Sequence, residues 1–451
     1  MADDAFRAYF ADFVFPIASG AIQDGAVVVQ RDRIVFTGPA DAVRAHPVYT
    51  NASATHFGRA AILPGLVNAH SHLELTVMRG FLEDLPFRDW ILKLTRAKYQ
   101  QLTPDDLLAS ALLGTAEALR AGITTLGDTA DSDSAFVALR RCGLRGIAYR
   151  EVFGPDRADA EAGLDGLKGK IDTMRQSETS LVRVGVSPHA PYTVSPDLFE
   201  RVARYAIADS LDVCIHAAES EAESLLLERG EGDFARGLSE RGIAWTTPRV
   251  GTIRYLERLS VLEAAPLLVH CVRVDDDDLD LIARTGSRIA HCPRSNAKLG
   301  HGTAPLQRML ARRIPVGLGT DSVASNNRCD LLGEATFGCL LHRAGGASFT
   351  RPSASQMLRL MTLGGAEALG LSDQIGTLEP GKQADLTVVD LKHSHTAPVH
   401  DPAAAILFSA TSSDVVMTVV AGKVLYENGR LTTLDEEELL QSATRAVRKM
   451  T

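Results

Sequence analysis

Between residues 63 and 321, apolar runs of strand character alternate with helical stretches, and no other feature of the chain restricts its fold as strongly. The runs are LPGLV (63–67), AGITTLGD (121–128), LRGIAYREVF (144–153), LVRVGVSPHA (181–190), LDVCIHAAE (211–219), APLLVHCV (265–272), SRIAHCP (287–293) and IPVGLGTD (314–321). Between most of them lie stretches such as PDDLLASALLGTAEALRA (104–121) and SPDLFERVARYAIADS (195–210). Their apolar residues recur at helical spacing, and a Thr or Ser precedes the Pro at the helix start. Eight strands in about 260 residues is the count and size of a (β/α)8 barrel. An open doubly wound sheet would carry a Gly-rich phosphate loop after an early strand, and none is present.

The two ends of the chain read differently. DGAVVVQRDRIVFTG (24–38) is a β-hairpin by its turn and strand signals. A second β-rich block follows the barrel, ADLTVVDL (384–391) and then VVMTVVAGKVLYENGR (415–430), with Ala421-Gly422 between two short strands. Short sheets need a partner to pack on. The expectation is therefore a small β-sandwich domain built from residues 1–62 and 376–451, flanking a barrel of residues 63–375.

A length of 451 residues suits one large domain with a smaller companion, and the 45% hydrophobic content supports a sizeable core. The net charge of −9 argues against a nucleic-acid partner, which calls for a basic face. No uncharged apolar stretch reaches the roughly 18 residues of a membrane span. The start, MADDAFRAYFADFVF, lacks the basic and apolar regions of a secretory signal. The six cysteines are scattered without a C-x-x-C pair, as suits reduced thiols. A cytoplasmic protein is expected.

In a (β/α)8 barrel the reacting groups gather at the C-terminal ends of the strands. His70 and His72 end the first run, two residues apart and so on one side of a strand. His189 ends the run 181–190, and His216 with Glu219 ends the next; His270, His291 and Asp321 close the last three. One histidine at a strand end is usually a satisfied hydrogen bonder, but a series of them in order points to a metal. His70, His72, His216 and Asp321 can supply four ligands around the barrel mouth and leave a position for water, which ionises near neutral pH on such an ion. Glu219, just past His216, is suited to carry a proton between that water and a leaving group, and His270 to hold the hydroxide in place.

The set LPGLVNAHSH, SPHAPYT, HAAE, VHCV, HCPRSNAKLGHG, GLGTDSVASNN and IGTLEPGKQADLTVVDL resembles the amidohydrolase superfamily, within its branch of deaminases and chlorohydrolases. Aminodeoxyfutalosine deaminases, S-adenosylhomocysteine/methylthioadenosine deaminases, guanine deaminases and triazine hydrolases belong to that branch, and the similarity runs from about residue 24 to 430. The resemblance implies metal ligands at His70, His72, His216 and Asp321, an acid/base glutamate at Glu219, a water-orienting histidine at His270, and a substrate contact at His189. It also implies that Asp321 accepts a proton from the metal-bound water. Binuclear members carry a carbamylated lysine on the fourth strand. Residues 181–189 contain no lysine, so one divalent ion is expected, zinc with iron as the alternative. Homo-oligomers are common in the branch.

The stretch TVMRGFLEDLPFRDWILKL (76–94) resembles the first loop of the deaminases, where Arg79, Phe87 and Trp90 would line the ligand; a plain helix packing Trp90 and Leu94 inward is the alternative. Adenosine-type relatives follow their tryptophan with a W-P-x-E element whose glutamate holds the ribose hydroxyls. Here TRAKYQQL (95–102) stands instead, which counts against S-adenosylhomocysteine or methylthioadenosine. The histidine pair followed two residues later by Glu74, with a tryptophan lid, is similar to the start of aminodeoxyfutalosine deaminases, which act on an adenosine carrying a carboxyphenyl group; Arg294 in HCPRSN would then meet a substrate carboxylate as a bidentate donor. Arg273 stands where many relatives have histidine. The expected partner is a small heterocyclic amine, deaminated hydrolytically. Halide or amide hydrolysis on a triazine and a non-catalytic relative of the fold are the alternatives.

Overall fold

The computed structural model describes residues 5–344 and 351–450; the acidic start, Met1–Asp4, lies outside them. Eight parallel strands run in chain order around a ring: β1 Leu66–Ser71, β2 Ile123–Ala130, β3 Arg145–Val152, β4 Val182–Pro188, β5 Asp212–Ala217, β6 Leu267–His270, β7 Arg288–His291 and β8 Val316–Leu318. Each lies within or directly continues one of the eight apolar runs. β2 and β3 are buried along their whole length, because helices cover their outer face while their inner face fills the lumen. This double burial is why the runs read as continuous apolar stretches and not as alternating ones. The ring closes between β8 and β1 through a bridge of Ser71 with Asp321, where the Asp321 amide donates to the His70 carbonyl at 3.0 Å.

Helix starts follow the sequence signals. Thr103 caps the helix Pro104–Arg120 in a capping box with Asp106, and Pro sits at its first position. Tyr149 and Cys214 belong to one buried apolar cluster with Ile147 and Val269. Glu151 and His216 lie two residues further along the same strands, on the same face, so the polar layer begins where the apolar filling ends.

Both chain ends contribute to one nine-stranded mixed sheet. Ala60–Pro64 is its seam, parallel to Phe6–Val14 on one side and antiparallel to Leu386–Asp390 on the other. The two layers expected of a sandwich come from this single sheet curling over. Tyr9, Val27, Ile34, Ile62, Leu386 and Met417 share one core, and the turn at Arg31-Asp32 meets the turn at Ala421-Gly422. Gly422 has φ +74°, and a Cβ there would sit 1.8 Å from the Arg31 carbonyl, so only glycine fits. After the sheet, the helix Glu436–Met450 packs back on Pro104–Arg120 and brings Ala443, Ala446 and Met450 against Leu75, Met78 and Leu82. All six cysteines are free and buried. No described helix is long and apolar enough to cross a membrane.

Candidate metal centre and active site

At the C-terminal mouth of the barrel, His70, His72, His216 and Asp321 bring one ligand atom each to within 4.8 Å of one another. The Asp321 Oδ1 stands 3.3 Å from His70 Nε2 and 3.5 Å from His72 Nε2, and the Nε2 atoms of His72 and His216 are 3.3 Å apart. The Asp321 Oδ2 is held from behind by the hydroxyls of Ser295 at 2.5 Å and Ser325 at 3.1 Å. His216 Nδ1 faces the His189 carbonyl at 3.2 Å, so its proton resides there and Nε2 offers a lone pair. Ala218, His270, Cys271 and Asp321 adopt φ of +53°, +77°, +46° and +58°. Left-handed non-glycine residues of this kind gather at functional sites, and these four turn the chain sharply as it leaves the strand ends.

The electrostatics suit a cation. Burial lowers the pKa of His70 to about 4 and those of His72 and His216 to about 3, so all three imidazoles are neutral and their lone pairs available. Burial raises the Asp321 carboxyl, but the neighbouring histidines, His70 first, outweigh it and hold it well below the ordinary value. Both ring nitrogens of His70 are buried without a hydrogen-bond partner among the described residues. Orphaned nitrogens in a dry site are costly unless something coordinates them. Three imidazole nitrogens and a carboxylate oxygen fit zinc, and they fit ferrous iron as well. β4 carries no lysine.

Glu219 lies beside this cluster, buried. Its Oε1 is 3.5 Å from His270 Nε2 and 3.3 Å from His301 Nε2, and its Oε2 accepts from the Tyr192 hydroxyl at 3.4 Å. Burial pushes this carboxyl up, yet His270 and His301 more than offset it and leave its pKa at about 2, so it rests as the base. His270 is anchored through Nδ1 to the Asn296 Oδ1 at 2.9 Å, which leaves Nε2 facing Glu219.

A cavity of about 570 Å³ opens over these groups, and His72, His189, His216, Glu219, His270 and Asp321 form its floor. Its lid is the helix Phe87–Arg96, which buries none of its residues and turns Phe87, Trp90, Ile91 and Leu94 toward the cavity. Phe87 packs edge-on against His301 at 4.5 Å and near-parallel to Trp90 at 6.2 Å. The segment TRAKYQQL continues the wall with Thr95, Lys98 and Tyr99. Tyr192 stacks on Phe234 at 4.0 Å on the far side.

Several expected residues fall elsewhere. Arg294 does not line the cavity: its guanidinium donates to the Gly333 carbonyl at 2.8 Å and lies 3.5 Å from Glu334, so the expected meeting with a substrate carboxylate is replaced by a structural pairing. Arg79 is spent on Glu117 and the Asn327 carbonyl. β1 stops at Ser71 and a 3-10 turn follows, which directs Glu74 into a buried network with Lys98, Ser132 and Ser134. Arg273 pairs on the surface with Glu221 at 3.5 Å. His291 faces away from the metal cluster toward His342, Nε2 to Nε2 at 3.0 Å. Sequence reasoning passed over Glu151, Lys98, Tyr192, Asn296 and His301. Asn296 and His301 stand in the HCPRSNAKLGHG motif and Tyr192 in SPHAPYT, which held the available signal; Glu151 and Lys98 lie on elements that only the fold brings together.

A model of the amidohydrolase family matches residues 61–425. This chain belongs to the amidohydrolase family. The family is metal-dependent, and the His70, His72, His216 and Asp321 cluster is the donor set this amidohydrolase offers. It is 37% identical over 423 residues to the 5-methylthioadenosine/S-adenosylhomocysteine deaminase of Nitratidesulfovibrio vulgaris, covering 93% of this chain and 91% of that one. Among solved structures it is similar to an adenosine deaminase from Xanthomonas campestris with bound zinc, with 28% identity, a TM-score of 0.85 and 98% of each chain covered. It is also similar to the atrazine chlorohydrolase of Arthrobacter aurescens complexed with zinc, with 25% identity, a TM-score of 0.83, and coverage of 97% of this chain and 100% of that one.

Proposed function

We propose that this amidohydrolase is a hydrolytic deaminase of adenine-type nucleosides, with one zinc ion held by His70, His72, His216 and Asp321. The observation that carries this reading is Glu219, an ionised carboxylate on the cavity wall beside the four ligands, poised between His270 and His301. A bound ion in such a site supplies the Lewis acidity that makes water a nucleophile near neutral pH. Glu219 starts as the base, takes one proton from the attacking water and delivers it to a ring nitrogen, while the water's second proton, held in turn by Asp321, is passed to the amino group as it leaves as ammonia. His270, fixed by Asn296, directs Nε2 at the attacking oxygen and shares the developing charge. Asp321, with Oδ2 tied to two serines and Oδ1 facing the cluster, accepts the second proton. Trp90 and Phe87 stack over the heterocycle and exclude water, and His189 contacts the substrate from the floor.

The relatives named as methylthioadenosine/S-adenosylhomocysteine deaminases favour those two nucleosides as first candidates, although TRAKYQQL replaces the W-P-x-E element. The likeness to a chlorohydrolase keeps halide displacement as the second reading. Ammonia release by the zinc-loaded protein tests both. The panel is adenosine, methylthioadenosine, S-adenosylhomocysteine, aminodeoxyfutalosine, guanine, cytosine and an amino-chloro-triazine. Ammonia from an adenine nucleoside well above the rest is the expected outcome. Chloride release without ammonia would replace this reading with the second one.

A further inference from the structure

Glu151, on β3, is a buried residue on the cavity wall that the proposed reaction does not use. Its Oε1 has no hydrogen-bond partner among the described residues. Lys98, a cation on the same cavity wall, is already engaged by Glu74 and Asp131. A carboxyl oxygen removed from water and left unpaired is a cost to the free protein, and folds retain such groups where a ligand satisfies them.

Its neighbour sharpens the point. The ligand atoms of Glu151 and His189 lie within 4.8 Å of each other and of His216. Thr193 donates its own hydroxyl proton to the Ala190 carbonyl at 3.1 Å and stands 2.8 Å from His189 Nδ1. The network therefore assigns the His189 proton to Nδ1, leaving Nε2 an acceptor. Glu151 and His189 thus present two acceptors side by side in the cavity. Two adjacent acceptors call for two adjacent donors, and the donor-rich part of a nucleoside is the pair of neighbouring hydroxyls on its sugar.

We propose that Glu151 is a specificity-determining residue that accepts a hydrogen bond from a sugar hydroxyl of the substrate, so that the cavity selects ribosides over analogues lacking the diol. This inference rests on the nucleoside reading above and names the part of the substrate that the site inspects. A carboxyl keeps its carbonyl oxygen as an acceptor in either protonation state, and it is that oxygen the sugar hydroxyl meets. The site built to satisfy a hydroxyl rejects the analogue lacking it, because the protein's own buried oxygen is then left unpaired.

The test compares adenosine with 2′,3′-dideoxyadenosine for turnover, and inosine with 2′,3′-dideoxyinosine for calorimetric binding. Zinc-loaded wild type, Glu151→Ala and Glu151→Gln are used. Wild type is expected to prefer the diol in both assays by about 10- to 100-fold, the range of one or two hydrogen bonds. Glu151→Ala is expected to erase most of that preference while leaving the dideoxy compounds unchanged. Glu151→Gln, which keeps an acceptor oxygen, is expected to restore part of it. Equal handling of diol and dideoxy compounds by wild type would overturn the inference, as would equal losses on both in the variants. Loss of zinc from Glu151→Ala would also overturn it, by making Glu151 a metal ligand. Diol-dependent binding that is lost in Glu151→Ala, without ammonia from any nucleoside, would support the role of Glu151 and reject the deaminase reading instead. Ammonia release with no diol dependence would do the reverse.

Discussion

Glu219 and the four proposed ligands stand close together at the barrel mouth, yet their chemistry separates them. Glu219→Gln keeps the shape of the side chain and cannot shuttle a proton. The variant is expected to retain its zinc and lose about 10²- to 10⁴-fold in kcat. Metal analysis alongside kcat checks this, and a variant that lost metal along with rate would move Glu219 into the ligand set. The sequence made these residues visible because each stands at or just past the end of an apolar run, where a (β/α)8 barrel exposes its side chains. Arg294 was misread for a matching reason: HCPRSN also follows a strand, but the helix Pro293–Lys298 begins at once and turns the guanidinium toward Glu334. Glu151 went unnoticed because a charged residue inside an otherwise apolar run gives no sign of which face it takes until the strand's phase is fixed by its neighbours.

At the scale of elements, His291 shows what a strand-end histidine does when it is not a ligand. It ends β7 and meets His342 on the helix Leu331–Ala344, and the two facing nitrogens leave room for one proton at most. Burial holds His342 at about 4 and His291 well below its ordinary 6.5. Between pH 6.5 and 4 the unfolded chain takes up protons that the folded one refuses, so stability is present above 6.5 and declines as the pH falls through that window. His342→Asn is expected to flatten this decline in urea-melting midpoints of the zinc-loaded protein across pH 4–7, whereas a profile parallel to wild type would remove the pair from the account. Strand and helix order were legible because both periodicities are strong in this chain. The lid was not settled by sequence, since Trp90 and Leu94 fit an inward-packing helix equally well. The helix lies over the cavity with Trp90 and Leu94 among its lining, and the same two side chains pack against the apolar cluster of Leu75, Met78 and Leu82, so each reading describes part of what the helix does.

On the scale of the whole molecule, barrel and curled sheet are joined by a buried ion pair. Arg145 at the start of β3 donates to both Asp385 oxygens, at 2.9 and 3.1 Å, and Asp385 also accepts from the Ala421 amide at 2.7 Å. Asp385→Ala leaves that guanidinium buried with only the Gln383 amide oxygen to accept from it and no counter-charge, and an equilibrium urea melt is expected to show a loss of about 3–5 kcal/mol. A change below about 1 kcal/mol would mean that other contacts hold the junction, the Thr387 and Thr418 hydroxyls on the Gly122 and Leu119 carbonyls among them. The β-rich blocks at the two chain ends were readable, but not that one sheet would serve as both layers, because pairing between residues hundreds of positions apart leaves no local mark.

The closure of the ring by Ser71 and Asp321 has a mechanical consequence. Seven of the eight joints between staves are ladders, whereas the joint between β8 and β1 is a single bridge among the described residues. An ion held as proposed, by His70 and His72 on one side of that gap and by Asp321 on the other, would be the clasp of the hoop. Chelation is therefore expected to lower the melting temperature and to speed hydrogen exchange at the Asp321 amide, while amides in the β3–β4 ladder keep their protection. Uniform exchange across the barrel would refute the idea. If it holds, metal affinity and barrel integrity draw on one free energy, so a substitution that loosens the gap from outside the ligand set will make the protein leak its ion.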